Sequence, residues 1–295
     1  MRVITLLPSA TEIVAALGGA EYLVGISHEC DYPDWVQQLP RVTSTPLDVD
    51  APGATLDAEV RRLRDAGQSA IGIEAELLRR LQPHLIVTQS LCDVCAVSDG
   101  AVHRLADTLD PAPVVLTLEG RDLAGIWADI RRVGSALELA DEAEELVLGL
   151  QSRLRRLRGT HQNPRPRVVC VEWLDPLYLA GHWVPELVEA AGGNDVGAPA
   201  GSHSRRCEWR DVRDLRPDHI LIMLCGFGSP RARRELDGLR DSEALALLRG
   251  ASVSIVDGNS YTSRAGPRVV DGAERIRAAL SPGQGSDSPR WLPGR

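Results

Sequence analysis

The stretch that decides the fold is RVITLLPSATEIVAALGG, residues 2–19. Its first part, Arg2 to Leu7, is apolar and β-branched without alternation, which is typical of a strand buried on both faces of a parallel sheet. Ser9-Ala10-Thr11-Glu12 has the spacing of a capping box and predicts that a helix starts there. The Gly18-Gly19 pair predicts where that helix ends. The chain is therefore expected to open with a β–α unit.

The same pattern recurs in the second half of the chain. Arg167 to Val171 is again a strand of the buried type. The helix sequence EIVAALGG, Glu12 to Gly19, returns almost residue for residue as ELVEAAGG, Glu186 to Gly193. Strands that alternate with helices indicate parallel sheets, and elements repeated in the same order indicate two similar modules.

A second repeat supports two modules. Leu81-Gln82-Pro83 and Leu215-Arg216-Pro217 each predict the end of a helix followed by a strand. Between the modules, residues 123–157 carry apolar side chains at helical spacing. The predicted fold is therefore α/β, with two Rossmann-like lobes that contain parallel sheets and are joined by a long rigid helix. The predicted boundaries are 1–120 and 161–280 for the lobes, 121–160 for the connecting helices, and 281–295 for a disordered tail.

The charge of the chain argues against nucleic acid as a partner. Its 295 residues carry a formal net charge of -8. No basic stretch is large enough to neutralise several phosphates. The densest basic run, Arg153 to Arg158, follows acidic residues on the same predicted helix and is interpreted as a solvated helix face.

The amino terminus predicts neither export nor membrane insertion. Pro8 interrupts the apolar run Val3 to Leu7, and Glu12 places a charge where a signal peptide needs an apolar centre. No stretch approaches the roughly 20 apolar residues that span a bilayer. We therefore expect the protein to stay in the cytoplasm.

Several motifs together resemble a known family. They are the Pro8–Glu12 turn, Gly25-Ile26-Ser27 followed by Cys30-Asp31-Tyr32-Pro33, the two Leu-x-Pro strands, and Ser263-Arg264-Ala265-Gly266-Pro267-Arg268. In order and spacing they resemble the helix-linked (class III) substrate-binding proteins of ABC importers for cobalamin and ferric siderophores. The resemblance runs from about Arg2 to Leu280. It implies a binding protein without catalysis that holds its ligand between two lobes, here as a cytoplasmic variant without a signal peptide.

The ligand implied by the resemblance is a corrinoid of the cobalamin type, bound for uptake, carriage or sensing. The expected partners are this small molecule and either an ABC transporter or a corrinoid-dependent partner protein. Ligands of parallel α/β sheets lie at the carboxyl ends of strands, and aromatic faces suit a large flat macrocycle. Aromatic residues make up only 4 % of the chain. The candidate ligand-binding residues are Tyr32, Trp173, His182, Trp183, Phe227, Tyr261 and Arg264.

Two of these candidates have a more specific interpretation. Arg264 lies in the segment where the resemblance implies an arginine at the corrin edge, a role that a guanidinium fork suits. The acidic residue that accompanies this arginine in cobalamin binders corresponds to Ser260 here. His182 suits axial ligation of cobalt, with a hydrogen-bonded structural histidine as the alternative. Trp35, Trp127 and Trp209 are interpreted as core or surface-helix residues.

A second hypothesis is a protein that binds a metal ion or a metal chelate, such as a siderophore or haem. Six cysteines are too few for a disulfide scaffold in a chain of this length. Cys30, Cys92 and Cys95 follow predicted strands, and with or without His28 they suit a thiolate-bound soft metal ion. The Cys92–Cys95 pair lacks the second pair of a structural zinc site, so buried or loop thiols are the alternative. Cys170 is interpreted as a core residue, and the role of Cys207 stays open.

An enzyme is the least favoured class. The sequence shows no Ser-His-Asp constellation, no phosphate-binding glycine loop and no carboxylate pair at a known spacing. The C-x-x-C pair lacks the context that lowers the pKa of a redox thiol. His103 and His203 have no partner that the sequence identifies. We therefore expect a non-catalytic binding protein.

Overall fold

The computed structural model describes residues 1–91, 97, 99–158 and 164–281 of the chain. The chain divides into two units, each with its own sheet and core. The first unit takes Met1–Ala51, Ala58–Gly120 and Ala124–Leu148. The second takes Pro52–Asp57, Arg121–Leu123 and the chain from Gly149 onwards. Of the predicted disordered tail, residues 281–295, all but Ser281 lie outside the described residues.

The part of the chain up to residue 158 alternates strands and helices. In chain order the elements are β1 (Val3–Thr5), α1 (Pro8–Ala16), β2 (Leu23–Ile26), β3 (Thr43–Ser44), α2 (Gly53–Asp65), β4 (Gly72–Ile73), α3 (Ala75–Leu81), β5 (Leu85–Gln89), α4 (Asp99–Ala106), β6 (Val114–Leu118), α5 (Leu123–Ala136) and α6 (Ala140–Arg158). Strands β2, β1, β5 and β6 lie side by side in that order, all parallel, and β3 pairs antiparallel with β4. The core of this unit includes Ile4, Leu6, Val42, Leu78 and Ile86.

The part of the chain from residue 164 repeats this plan. Its elements are β7 (Arg167–Leu174), β8 (Leu177–Leu179), α7 (Val184–Ala191), β9 (Asn194–Asp195), β10 (Arg205–Arg206), α8 (Trp209–Asp214), β11 (His219–Ile222), α9 (Ser229–Gly238), α10 (Ser242–Gly250), β12 (Ser252–Ile255), a π-helical turn (Gly258–Thr262) and α11 (Val269–Leu280). Strands β9, β7, β11 and β12 are parallel neighbours in that order, which matches the order β2, β1, β5, β6 of the first unit. The core includes Val169, Val171, Ile220, Ile222 and Ile255.

The repeated helix ends have the same geometry in both units. Gly18 and Gly192 both adopt a left-handed backbone, with φ of 80° and 97°. Each donates its N–H to the carbonyl three residues earlier at 3.1 Å. Gly19 and Gly193 donate to the carbonyls five residues earlier at 3.0 and 2.9 Å. A left-handed residue at this position is favourable for glycine, so the Gly-Gly pair ends both helices as predicted.

The Leu-x-Pro repeats also behave alike. Helix α3 ends at Leu81, and Gln82, just before the proline, has φ of 42°. Helix α8 ends at Asp214, and Arg216, again just before the proline, has φ of 48°. In each case a parallel strand of the central sheet follows. The predicted α/β fold, with parallel neighbouring strands in each half, is therefore confirmed.

The second unit contains an addition that the sequence analysis did not predict. Strand β7 extends to Leu174, and β8 folds back against it in antiparallel register, with Trp173 opposite Tyr178. Strand β10 then pairs antiparallel with β8. The sheet of the second unit is therefore mixed, whereas that of the first unit is wholly parallel.

The predicted capping box at the start of α1 is wrong. The helix begins at Pro8, after Leu7 in extended conformation, and no side chain caps it. Proline suits the first helical position because its missing N–H would have no partner there. The Thr11 hydroxyl instead lies 2.6 Å from the Thr5 hydroxyl inside the unit.

Helices α5 and α6 form the predicted helical segment in the middle of the chain. Gly134 allows a close approach between them, because a Cβ atom there would overlap the side chain of Ala143. Helix α6 has 19 residues, which corresponds to a length of about 28 Å. The sequence boundary between the units, Leu148 to Gly149, falls within this helix. None of the helices in the described ranges combines the length and apolar character that a bilayer span requires.

Candidate ligand-binding site

An aromatic pair lies at the carboxyl ends of two neighbouring strands of the second unit. Trp173 is near the end of β7 and Phe227 follows β11, and their ring centroids are 5.1 Å apart at an interplanar angle of 47°. The guanidinium of Arg231, in the first turn of α9, lies 3.8 Å from the centroid of the Phe227 ring. This cation–π contact stacks a charged group on a side chain that is only 6 % exposed.

The loop after β12 is fixed against the loop after β11. Asp257 accepts the N–H of Ser260 at 2.7 Å through one carboxylate oxygen and the N–H of Ser229 at 3.2 Å through the other. Gly258 packs on the main chain of Leu224, where any Cβ atom would overlap the carbonyl. Two loops from adjacent parallel strands are therefore held by one carboxylate and one close backbone contact.

Asn259 links two of the predicted ligand-binding residues. Its N–H donates to the carbonyl of Phe227 at 3.2 Å. Its Oδ1 accepts a hydrogen bond from Nη2 of Arg264 at 3.0 Å. Arg264 itself is 6 % exposed, which is unusual for a charged side chain. Phe227 and Arg264, 37 positions apart in sequence, thus belong to one hydrogen-bonded arrangement.

Trp183 and His182 lie beside the same loop. Trp183 is buried, and its indole N–H donates to the carbonyl of Thr262 at 3.0 Å. His182 precedes it with a left-handed backbone, φ of 52°, and its ring lies 5.5 Å from that of His203 in an edge-to-face arrangement. Burial, together with the charges of His203 and Arg121, lowers the pKa of His182. The imidazole is therefore neutral at pH 7, and its buried Nε2 has no hydrogen-bond partner among the described residues.

Tyr261 is surrounded by positive charge. The guanidinium of Arg268 lies 4.9 Å from its ring centroid and that of Arg275 lies 4.3 Å from it. Both arginines are half-buried. The Tyr261 ring therefore makes cation–π contacts with two arginines of its own unit.

The first unit presents a different set of groups. Buried hydroxyls and a thiol follow β1 and β2: the Thr11 hydroxyl lies 2.6 Å from that of Thr5 and 3.0 Å from Sγ of Cys30. Nearby, Nδ1 of His28 lies 2.7 Å from the Thr43 hydroxyl. Burial, and then the charge of Arg41, lowers the pKa of His28. These groups form a compact polar network.

Exposed aromatic side chains of the first unit lie in the loop after β2. Tyr32 is 45 % exposed and Trp35 is 39 % exposed on a short 3-10 turn. Trp127 and Trp209 are buried, so the interpretation of these three tryptophans as surface-helix or core residues agrees with the structure.

The predicted metal site is only partly within the described residues. Cys30 is buried, whereas Cys92 and Cys95 lie outside the described residues. In the chain as far as the structure describes it, no group of three or more His, Cys, Asp and Glu side chains could hold a metal ion. Cys170 is core as predicted, and burial raises its pKa well above the usual range. Cys207 is half-buried, and burial raises its pKa too.

The structure brings most of the predicted ligand-binding residues into one unit. Trp173, His182, Trp183, Phe227, Tyr261 and Arg264 all belong to the second unit, and Tyr32 belongs to the first. Sequence reasoning missed Asn259, Arg231 and His203. Arg231 follows Phe227 by four residues, a spacing that suggests a contact, but the partners of Asn259 and His203 depend on tertiary structure. His103, which also had no predicted partner, lies 3.6 Å from Asp99 one helical turn away.

Comparisons with known proteins agree with this architecture. Residues 3–251 match the family model described as periplasmic binding protein. The vitamin B12-binding protein of Pectobacterium carotovorum is 24 % identical over 97 % of this chain and 91 % of its own length. Two solved structures show the same fold.

The first solved structure is a periplasmic heme binding protein from Pseudomonas aeruginosa, with a TM-score of 0.71 and 20 % identity over 99 % of this chain and 95 % of that one. The second is the periplasmic vitamin B12 binding protein BtuF of Vibrio cholerae, with a TM-score of 0.62 and 20 % identity over 95 % and 96 %. At this level of identity the likeness concerns the fold. The chain therefore belongs to the class III periplasmic binding protein family, whose members bind ligands and are not enzymes.

Proposed function

We propose that the chain binds a corrinoid of the cobalamin type. The observation that carries the proposal is the similarity to a curated vitamin B12-binding protein over nearly the full length of both chains. A second such protein, from Pectobacterium atrosepticum, is 22 % identical over 95 % of this chain. These alignments span the loops that hold the predicted ligand-binding residues as well as the strands.

The loops of the second unit have chemistry that suits a corrinoid. The half-buried Trp173 ring, packed on Phe227, offers apolar area for the macrocycle. The Arg264 guanidinium, oriented by Asn259, suits the carbonyl groups of amide side chains at the edge of a corrin. His182, neutral at pH 7, suits a metal at the centre of such a ligand, because metals bind the neutral imidazole.

Titration of purified protein with cyanocobalamin tests the proposal. We expect the corrin absorption spectrum to change and the colour to stay with the protein in gel filtration. Trp173→Ala is expected to weaken binding at least about tenfold, since buried tryptophan and arginine side chains dominate binding energies. Trp35→Ala, an exposed tryptophan outside the candidate set, is the matched control. An unchanged spectrum and no retained colour at saturating ligand would refute corrinoid binding.

Haem is the second candidate ligand. The observation that favours it is the His182–His203 pair, with ring centroids 5.5 Å apart, because histidine is a common haem ligand. Haemin titration in parallel with cyanocobalamin separates the two ligands. A Soret shift that His182→Ala abolishes, without any response to cyanocobalamin, would favour haem. The thiolate-bound metal hypothesis is tested by elemental analysis of protein purified under reducing conditions, with Cys30→Ser, Cys92→Ser and Cys95→Ser variants.

The cellular location is a separate proposal. We propose that the protein acts in the cytoplasm, where it carries or senses its ligand; the apolar residues Val3–Thr5 form strand β1 of the first unit. Fractionation of cells that express the chain with a carboxyl-terminal epitope tests this proposal. Recovery in the soluble cytoplasmic fraction is the expected result, and recovery outside the cytoplasmic membrane would contradict it.

A further inference from the structure

The first turn of α2 packs against the aromatic pair of the second unit. Residues Pro52–Asp57 belong to that unit, whereas the rest of α2 belongs to the first. The main chain of Gly53 lies against the Trp173 indole, because a Cβ atom on Gly53 would be 3.4 Å from Cζ2 and 3.6 Å from Cε2 of that ring. The Leu56 side chain packs against the hydrophobic core of the same unit. Part of the Trp173 ring is therefore covered by the chain itself.

One carboxylate contacts both this turn and the cation beside it. Oε2 of Glu235, on α9, accepts the N–H of Gly53 at 3.2 Å, and Oε1 lies 3.8 Å from Nε of Arg231. The Glu235 and Arg231 side chains are mostly buried. The Arg231 guanidinium in turn lies over the Phe227 ring. The turn, the ion pair and the aromatic rings therefore form one cluster within the second unit.

The first turn of α2 offers little material for a tight attachment. Gly53 has no side chain, and the side chains of Pro52, Ala54 and Thr55 are exposed. The chain before the turn, residues 44–51, is also mostly exposed. Segments with few buried side chains open locally at a small part of the free energy of global unfolding. We therefore expect the turn to leave Trp173 without unfolding the sheet beneath it.

The covered ring is one that the proposed function assigns to the ligand. Trp173 also donates its indole N–H to the carbonyl of Asp175 at 3.1 Å and packs on Phe227. Together with the Gly53 main chain, these contacts leave only part of the half-buried ring accessible. A macrocycle that uses the apolar area of Trp173 would gain the covered part only if the turn moved away.

We infer that the first turn of α2 is an autoinhibitory cover, which lies on Trp173 in the ligand-free protein and is displaced by a macrocycle that stacks on this ring. The inference rests on the proposed function for its ligand. A protein whose binding-competent form is only partly populated has an apparent affinity that is reduced by that fraction. Variants that loosen the cover should therefore bind more tightly, and a variant that tightens it should bind more weakly.

Cyanocobalamin titration of two loosened variants tests the first half of this expectation. Leu56→Ala removes the side chain that packs on the core, and Glu235→Ala removes the acceptor of the Gly53 N–H. We expect each substitution to lower the Kd about three- to tenfold. Glu235→Gln keeps an acceptor oxygen and should bind within about twofold of the parent protein. Leu56→Ala leaves the ion pair with Arg231 intact, so it reports on the cover independently of charge.

One tightened variant is expected to act in the opposite direction. Gly53→Ala places a methyl group in van der Waals contact with Trp173 and favours the helical turn, so we expect the Kd to rise about threefold. Glu59→Ala, which breaks only a surface pair with Arg62 on the same helix, is the matched control. Weaker binding by both Leu56→Ala and Glu235→Ala would show that the turn is a fixed wall of the site, and would overturn the inference.

Hydrogen exchange at the Gly53 amide, measured by NMR, separates this inference from the proposed function. Because this N–H is bonded to Glu235, its exchange reports when the turn opens. In the ligand-free protein we expect about tenfold faster exchange in Leu56→Ala, with the amides of β7 and β11 unchanged. Saturating cyanocobalamin should speed the exchange in the parent protein, whereas slower exchange would contradict displacement.

Exchange at Gly53 that is as slow as in the sheet would also overturn the inference, because the turn would then open only on global unfolding. If the parent protein binds neither cyanocobalamin nor haemin, the proposed function fails. The ligand-free exchange rates of the parent protein and Leu56→Ala still decide whether the turn is a reversible cover of Trp173.

Discussion

Two sets of loops follow strands that are arranged in the same order: those after β1 and β2 in the first unit, and those after β7, β11 and β12 in the second. In the first unit the groups at this end of the sheet are small and buried: the Thr11 hydroxyl on α1 lies near the Thr5 hydroxyl at the end of β1 and near the Cys30 thiol in the loop after β2. In the second unit they bring aromatic rings and guanidinium groups together, and the Phe227 ring contacts both Trp173 and Arg231. The strand order and the helix ends are the same, so the fold does not determine the chemistry of these loops.

The difference indicates a division of roles. Hydroxyl groups that satisfy one another in a buried network stabilise a loop but leave few groups for a ligand. Aromatic and cationic side chains in the second unit offer apolar area and hydrogen-bond donors that a large ligand can use. We therefore expect substitutions in the first-unit network to change stability, and those in the second-unit loops to change binding as well.

The largest effect is expected from a glycine that faces rigid main chain. A Cβ atom at Gly258 would overlap the Leu224 carbonyl, whereas one at Gly25 in the first unit would meet the side-chain tips of Val42 at 2.8 Å and Leu81 at 2.9 Å. The tips of side chains can move more easily than the main-chain carbonyl of Leu224. We expect Gly258→Ala to cost at least about 3 kcal/mol of unfolding free energy and Gly25→Ala about 1–2 kcal/mol.

Denaturant unfolding with hydrogen-exchange mass spectrometry checks this contrast. Gly258→Ala should remove protection from the second-unit sheet and leave β1 and β5 protected. Equal losses of unfolding free energy for the two variants would show that both sites accommodate the extra methyl group in the same way, and would contradict the expected contrast between the two units.

The next largest effect is a pH dependence of the unfolding free energy that comes from buried carboxyl groups. Burial raises the pKa of Asp195 to about 6, although the Gly197 and Ala198 N–H groups and the Cys170 thiol face it. An unfolded aspartate titrates near pH 4, so between about pH 4 and 6 the folded state binds more protons. The free energy of unfolding therefore falls as pH rises through this window, by about 3 kcal/mol for two pKa units.

Asp195→Asn should remove this slope. Its amide oxygen still accepts the backbone N–H groups, so we expect stability to match the parent at pH 4 and to exceed it by up to about 3 kcal/mol at pH 7. Asp129 in the first unit is the comparison, because burial also raises its pKa but Arg132 lies 3.0 Å away. Asp129→Asn should give a smaller gain or a loss. Parallel pH profiles for Asp195→Asn and the parent protein would refute the assignment.

A smaller effect is expected in the hydroxyl network. Thr11→Val leaves the buried Thr5 hydroxyl without its partner at 2.6 Å, a loss of about 1–3 kcal/mol. Thr5→Val/Thr11→Val removes both groups and should recover part of that loss. Denaturant midpoints measure the cycle. If the double variant loses more unfolding free energy than the two single variants lose together, the two hydroxyls are not a stabilising pair.

The fold was predictable from the sequence because backbone requirements leave clear traces. Gly18-Gly19 and Gly192-Gly193 mark helix ends that need a left-handed residue, and the two Leu-x-Pro repeats mark the strands that follow. The capping box failed because Pro8 already satisfies the first helical position. The candidate site was predictable only as a list of residues after strands. That Asn259 joins Phe227 to Arg264 depends on a π-helical turn and on two strands being neighbours, which local patterns do not encode.

The smallest effect tests whether the two scaffolds are energetically equivalent. Gly18 and Gly192 hold the same position at the ends of α1 and α7, with φ of 80° and 97°. Alanine in this conformation is strained, and we expect Gly18→Ala and Gly192→Ala each to lower the unfolding free energy by about 1 kcal/mol. No atom outside the neighbouring residues lies within 4 Å of a Cβ at Gly18, so the loss there reflects the backbone alone. Matched losses in denaturant unfolding would show that divergence was confined to the loops, whereas a loss at only one glycine would show that the helix ends have diverged too.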